Sequence, residues 1–262
     1  MLTRHHHQLG REQYRQQGQL TSHYQYDDQG RLSAHTVNQR ERHALGSSKT
    51  VHHQVYKRSY GYSDNGNLIS LEDSRKGSKE YHYDALNRLQ QVSGSLEEHL
   101  VHDPAGNLLD TTGQPSTIVK GNRVEFKGDR HYRYDEFGNL IEESRGKQQK
   151  LKTCYEYDYQ HRLIKAEMPD GTVAKYRYDA FGRRISKTVC TPDNSSSSET
   201  TFFWQGDKLV SEVDEQSQQH TSYIYEPYTF KPMVMVQGSG LESKAYYYQL
   251  DHLGTPQELT DR

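Results

Sequence analysis

The residues of this chain able to do chemistry are histidine and aspartate. The 15 histidines include clusters at His5 to His7, at His52 with His53, and at His99 with His102. A metal centre needs three or four ligands at fixed spacing, and none of these clusters is joined by Cys or Glu in a recognisable pattern. No metal and no cofactor is therefore expected. Asp251 beside His252 suggests a dyad, but adjacent residues of a strand point to opposite faces. A turn role fits better, with Asp251 and His252 opening the Leu253, Gly254, Thr255, Pro256 segment. Phosphate-binding glycine loops, nucleophile elbows and zinc signatures do not occur. The chain is expected not to be an enzyme.

The remaining aspartates fall in a repeated phrase, and that phrase dictates the fold. It reads YQYDDQGRL from Tyr24, YGYSDNGNL from Tyr60, YHYDALNRL from Tyr81, YRYDEFGNL from Tyr132, YEYDYQHRL from Tyr155 and YRYDAFGRR from Tyr176. Two tyrosines at i and i+2 share one face of a strand. The pairs are Tyr24 and Tyr26, Tyr60 and Tyr62, Tyr81 and Tyr83, Tyr132 and Tyr134, Tyr155 and Tyr157, and Tyr176 and Tyr178. An aspartate then opens a tight turn at Asp27, Asp84, Asp135, Asp158 and Asp179. Its carboxylate caps its own turn, and a residue suited to positive φ closes it at Gly30, Gly66, Gly138 or Gly182. Each phrase is thus a hairpin tip, with Tyr and Leu on one face and Arg, Lys and Gln on the other.

Positions 27, 63, 84, 135, 158 and 179 are separated by 36, 21, 51, 23 and 21 residues. A weaker copy at Asp103 divides the longest gap, and another at the start places His7 in the Asp column and Gly10 in the Gly column. The unit is about 20 residues, two strands and two turns. The sequence predicts an all-β protein of tandem antiparallel hairpins, an array of one supersecondary unit, with turns near 28–30, 64–66, 85–87, 136–138, 159–161 and 180–182. Tyr134, Tyr157 and Tyr178 are expected to stack as a ladder between hairpins.

Composition agrees. Only 31% of residues are hydrophobic, while tyrosine occurs 21 times against 6 Phe and 1 Trp. Mean hydropathy is −1.10. Aromatics at 11% with a formal charge of −2 argue against disorder and for a thin sheet. Balanced charge implies no nucleic-acid partner. No apolar run reaches the length of a membrane span, and the N-terminus lacks the apolar stretch of a secretory signal. Cys154 and Cys190 lie in different hairpins, and a hairpin array does not need them bridged.

Three regions are distinguished: hairpin repeats over 1–190, a Ser-rich loop over 191–201, and an aromatic block over 202–262 containing WQGDKLVSE, YIYEPYTFKP and YYYQLDHLGTPQELTD. The YD phrases resemble the repeat of the Rhs (rearrangement hot spot) and teneurin-like proteins. The aromatic block, with Asp251, His252, Leu253, Gly254, Thr255 and Pro256 at its end, is similar to the Rhs core of bacterial polymorphic toxins. The resemblance implies a spiralling β-sheet that forms part of a hollow shell around a C-terminal toxin. It further implies a bacterial protein that is cytoplasmic before export and then secreted or at the cell surface. Implied partners are the remaining shell segments, the enclosed toxin and secretion-apparatus proteins. Relative to that pattern the self-cleavage motif and toxin are not in this sequence, and Tyr228 stands where the family has Gly, implying a locally different turn. The alternative is a module that binds carbohydrate or cell surfaces through exposed tyrosine rows. Where the tyrosine rings lie discriminates the two.

Overall fold

In a computed structural model, residues 2–6, 10–42, 50–109, 116–119, 121, 123–193 and 195–261 are described. His7 and Arg262 lie outside them. The chain divides into two compact units: Met1–Thr111 with Leu250–Thr260, and Thr112–Gln249. Across 190–200 the strand Arg184–Cys190 pairs with Ser197–Gln205. Of the Ser-rich segment, Ser197 to Thr201 belong to that strand, so the loop is shorter than the composition of 191–201 suggests.

Both units are antiparallel meanders. In the first, a 9-stranded sheet runs in strict sequence order from Leu2–His6 to Glu98–His99, followed by a 2-stranded ribbon of Val101–His102 with Leu108–Leu109. In the second, consecutive strands pair from Ser116–Val119 through Lys244–Leu250. Among the described residues the only helical turns are 3-10 turns at Lys147–Gln149 and Gly240–Glu242.

The hairpins form where the turn chemistry predicts. Asp27 N–H donates to Arg31 O at 2.9 Å and Gly30 N–H to Asp27 O at 2.8 Å, and the pattern recurs at Ser63, Asp84, Asp103, Asp135, Asp158, Asp179 and Asp251. The residue three places after each of these has positive φ: Gly30, Gly66, Gly106, Gly138, Gly182 and Gly254, but also Asn87 at 59° and His161 at 61°. A type I turn followed by a left-handed residue produces a bulge. The register shifts before the second tyrosine of each phrase, at Gln25/Tyr26, Arg133/Tyr134, Glu156/Tyr157 and Arg177/Tyr178 among others. The turn at Tyr228 does differ. There the positive φ of 61° moves one residue earlier, and the closing bond from Glu226 N–H reaches Lys231 O, one residue further than usual.

Among the described residues there is no thick apolar core, in keeping with 31% hydrophobic residues. In the first unit Leu20, Val37 and Tyr56 are buried together with Val55 against them. Burying each such side chain contributes roughly 1.5–3 kcal/mol. Around them the interior is polar: Glu12, Arg15, His35, Arg58 and Asp73 are all buried.

Candidate functional site

Each turn aspartate is fully engaged by its own hairpin. Asp158 Oδ1 accepts the main-chain N–H of Gln160 at 2.9 Å and of Arg162 at 3.0 Å, and Oδ2 accepts the Arg162 guanidinium at 2.7 Å. Asp84 with Arg88 and Asp179 with Arg183 repeat this arrangement, while Asp103 and Asp135 use the side-chain amides of Asn107 and Asn139. Burial alone would raise the Asp158 carboxyl. The N–H and guanidinium of Arg162 outweigh it and hold the group below the ordinary aspartate value. Carboxylates held this way cap their own turns.

The same arginines also link neighbouring hairpins. Arg31 Nη1 donates to Ser63 O, Arg88 to Asp103 O, Arg123 to Asp135 O and Arg162 to Asp179 O, at 3.1–3.3 Å. Arg31 also covers the face of Tyr62 at 4.6 Å, and Arg162 that of Tyr178 at 5.2 Å.

The second tyrosine of each phrase makes a further link. Its hydroxyl donates to the carbonyl that begins the return strand of the preceding hairpin: Tyr62 to Leu32, Tyr83 to Leu68, Tyr157 to Leu140 and Tyr178 to Leu163, at 2.8–2.9 Å. Trp204 Nε1 does the same to Arg184 O, and Tyr225 to Leu209 O. The first hairpin conforms as well, with Tyr26 donating to Glu12 O. In every phrase the tyrosines are half-buried or buried, and in most the residue between them is exposed. The expected ring ladder is not what joins them. Among the described residues no ring-on-ring contact pairs Tyr134, Tyr157 and Tyr178, because the bulge aims each hydroxyl at main chain.

Sequence reasoning missed one copy. Arg123 and Val124 perform the roles of Arg31 and Leu32, with Arg123 donating to Asp135 O and Tyr134 donating to Val124 O. The Arg123-Val124 pair, standing where other repeats have Arg-Leu, was the available signal, with no YxYD phrase ahead of it.

The Asp251 to Pro256 turn belongs to the first unit. Asp251 Oδ1 accepts N–H bonds from Leu253 and Thr255, and Oδ2 accepts Gln257 Nε2 at 3.1 Å, so the carboxylate serves its turn instead of His252. Leu253 is exposed, Gly254 has φ of 89°, and Pro256 starts the strand Pro256–Thr260. His252 lies against Tyr60 at 5.4 Å and Tyr62 at 6.2 Å. Burial pushes its pKa down, against the opposing pull of Asp251. Three strands meet nearby through a pairing the sequence does not announce: Arg58 Nε pairs Asp73 Oδ2 at 2.7 Å and Arg58 Nη2 pairs Glu258 Oε1 at 2.8 Å.

The other candidates do not converge. His53 and His99 are exposed and His102 half-buried, and among the described residues no three His, Cys, Asp or Glu side chains are grouped as metal ligands. Cys154 and Cys190 are both free thiols. No helix among the described residues is long and apolar enough to cross a membrane.

A family model described as Teneurin YD-shell matches residues 67–262, the stretch that carries most of these linked hairpins. The chain belongs to the teneurin YD-shell family. Among curated relatives, Double-stranded DNA deaminase toxin A of Burkholderia cenocepacia (strain H111) is 33% identical, over 97% of this chain and 19% of the relative. Toxin protein Tse5 of Pseudomonas aeruginosa is 25% identical, over 79% of this chain and 20% of the relative. This YD-shell chain thus spans about a fifth of the length of those relatives. A solved structure, that of TcdB2-TccC3-Cdc42, aligns over 99% of this chain and 18% of that chain at 13% identity and a TM-score of 0.39.

Proposed function

We propose that this chain is a non-catalytic wall segment of an Rhs-type toxin shell, which encloses a C-terminal toxin domain of the same polypeptide for export to competitor or host cells. The observation that carries this reading is the double link between hairpins, tyrosine hydroxyl to carbonyl on the strands and arginine to carbonyl along the turns. These links occupy the tyrosine rings and the turn carboxylates, the two groups a binding or catalytic module would have to present. They stiffen a thin sheet that has little apolar core, as a container wall needs. The 33% identity to a deaminase toxin over nearly the whole of this chain supports the same reading. Sugar recognition by flat, exposed tyrosine rows is disfavoured, because the paired tyrosines are packed against neighbouring hairpins.

The test is limited proteolysis of the complete polypeptide encoded by the gene that carries this segment. A wall role expects a downstream domain that resists protease until the sheet is unfolded. A downstream domain digested at the rate of the same domain expressed alone, with the sheet intact, would overturn it.

A further inference from the structure

One junction in the second unit departs from the arginine linkage, and a groove opens there. In four turns the residue four places after the opening aspartate is an arginine that binds that aspartate and reaches the next tip: Arg31 to Ser63 O, Arg88 to Asp103 O, Arg162 to Asp179 O and Arg183 to Gly206 O. At Asp135 the same place holds Asn139, whose side-chain amide bonds Asp135 Oδ2 at 2.7 Å and meets His161 Nδ1 at 3.0 Å. It does not reach the next carbonyl. Among the described residues Asp158 O accepts the His161 N–H alone, where Asp179 O accepts both the Gly182 N–H and Arg162. The Asp135 carboxylate accepts bonds from Phe137 and Asn139 and, among the described residues, from no cation. Nor does a described cation cover the Tyr157 ring, as Arg31 covers Tyr62 and Arg162 covers Tyr178. Between the two tips lies a groove of about 640 Å³, lined by Asp135, Phe137, Asn139, Tyr157, Asp158 and Tyr159 among others.

The groove is negative at one place. Its other carboxylates, Glu156 and Asp158, have counter-ions in Lys165 and Arg162, whereas Asp135 has neutral donors and an exposed Glu136 beside it. Burial would raise the Asp135 carboxyl, but the bonds from Asn139 hold it below the ordinary aspartate value, so it is ionised at neutral pH. Tyr157 feels that charge: burial first, then Asp135, push its hydroxyl up with no cation opposing them, while at Tyr62 Arg31 opposes Asp27. The turn of Ser63 and Asn67 lacks this feature, since serine leaves no carboxylate uncovered and Asn67 closes onto Asn87 Oδ1. An anion, a carbonyl lone pair and a tyrosine face therefore stand together where Arg31 and Arg162 meet the same three groups in their own hairpins. A guanidinium suits all three, as a planar fork that bonds oxygens and stacks on aromatic rings. We propose that this groove binds an arginine side chain of a basic partner polypeptide, its guanidinium over Tyr157 and bonded to the Asp135 carboxylate and the Asp158 carbonyl. The aliphatic stem lies between Phe137 and Tyr159, whose rings are 69% and 87% exposed.

The test uses the full 262-residue chain. The peptide acetyl-Gly-Arg-Gly-amide and its lysine counterpart are titrated at constant ionic strength, read by amide chemical shifts in NMR. The arginine peptide is expected to saturate with a Kd of about 5 mM or tighter, moving amides of residues 135–139 and 157–161. The lysine peptide should bind roughly fivefold or more weakly, since it has the charge without the fork. Asn139→Arg supplies the linking side chain from within the chain, so it should raise the melting temperature and weaken peptide binding at least about tenfold. Asp135→Asn keeps a turn-capping side chain without the charge and should weaken binding several-fold, which holds the test open if Asn139→Arg fails to fold. No saturation by the arginine peptide up to about 50 mM, shifts centred on other residues, equal affinity for the lysine peptide, or an unchanged affinity in either folded variant would overturn the proposal.

Discussion

The hydroxyl of Tyr178 donates to the carbonyl of Leu163 at 2.8 Å, and the guanidinium of Arg162, the residue before that leucine, covers the same tyrosine ring at 5.2 Å. One side chain is therefore held at its tip and on its face by two successive residues of the preceding hairpin. Tyr178→Phe should cost about 1 kcal/mol, the net worth of one hydrogen bond. Tyr178→Ala should cost about 2 kcal/mol or more, since a half-buried ring is lost as well. Arg177→Ala, on the exposed face, should stay within about 0.5 kcal/mol. Urea unfolding of the three variants decides it. Equal midpoints for wild type and Tyr178→Phe would remove the hydroxyl from the account.

Arg162 serves its own turn and the next one, so its replacement should be felt in both. Lysine keeps the charge but not the fork that reaches Asp158 Oδ2 and Asp179 O together. Arg162→Lys is expected to cost about 1–2 kcal/mol. Hydrogen exchange should show faster amides at Arg162 and at Arg183. Acceleration confined to the Asp158 turn would mean that the link to Asp179 carries no energy.

Two groups set the acid sensitivity. His35 is buried, and burial first, then Arg58 and Arg15, lower its pKa to about 3. A histidine that stays neutral when folded but titrates near 6.5 when unfolded contributes stability that is complete above 6.5. That stability falls by about 1.4 kcal/mol per pH unit below it. The turn aspartates, whose folded pKa values are lowered, act further down: their contribution is full above about 3.9 and is lost as pH falls through the lowered values. Chemical unfolding between pH 7 and 5 should therefore show a decline that His35→Gln makes shallower, the remainder coming from His252, whose pKa burial also lowers. A flat profile in the wild type would show that His35 is protonated without cost.

Arg58 sits between Asp73 and Glu258, its side chain 4% exposed. Removing it by Arg58→Met leaves two carboxylates without their shared cation and should cost about 3–5 kcal/mol. Glu258→Ala is milder, because Asp73 keeps its partner, and should chiefly loosen residues 250–260. Protease cleavage after Leu259 or Leu253 in that variant, absent from wild type, is the expected readout. An unchanged digest would mean that other contacts hold the segment.

The hairpins were legible because their cause is local: an aspartate, a residue tolerant of positive φ and the arginine or asparagine between them and the leucine lie within five positions. The destination of the tyrosine hydroxyls was not legible. It depends on a bulge that shifts register by one residue, and the ladder expected from simple alternation failed for that reason. The hairpin at Gly121 escaped because its strand lacks the YxYD phrase. The pairing of Arg58 with Glu258, 200 residues apart, has no sequence signal at all. His35 likewise reads as one more polar residue in a strand until Tyr24 and Tyr56 are seen around it.

The partner of each linking side chain is a carbonyl oxygen, which every amino acid supplies. A tyrosine that grips the backbone of Leu163, Val124 or Glu12 alike imposes no choice on its neighbour, so substitutions in adjacent hairpins need not be coordinated. Such a sheet can drift to a quarter or a third identity with its relatives, and can gain or lose a hairpin by duplication or deletion, without any compensating change elsewhere. The price of a new repeat is then a handful of residues, all carried within the repeat itself.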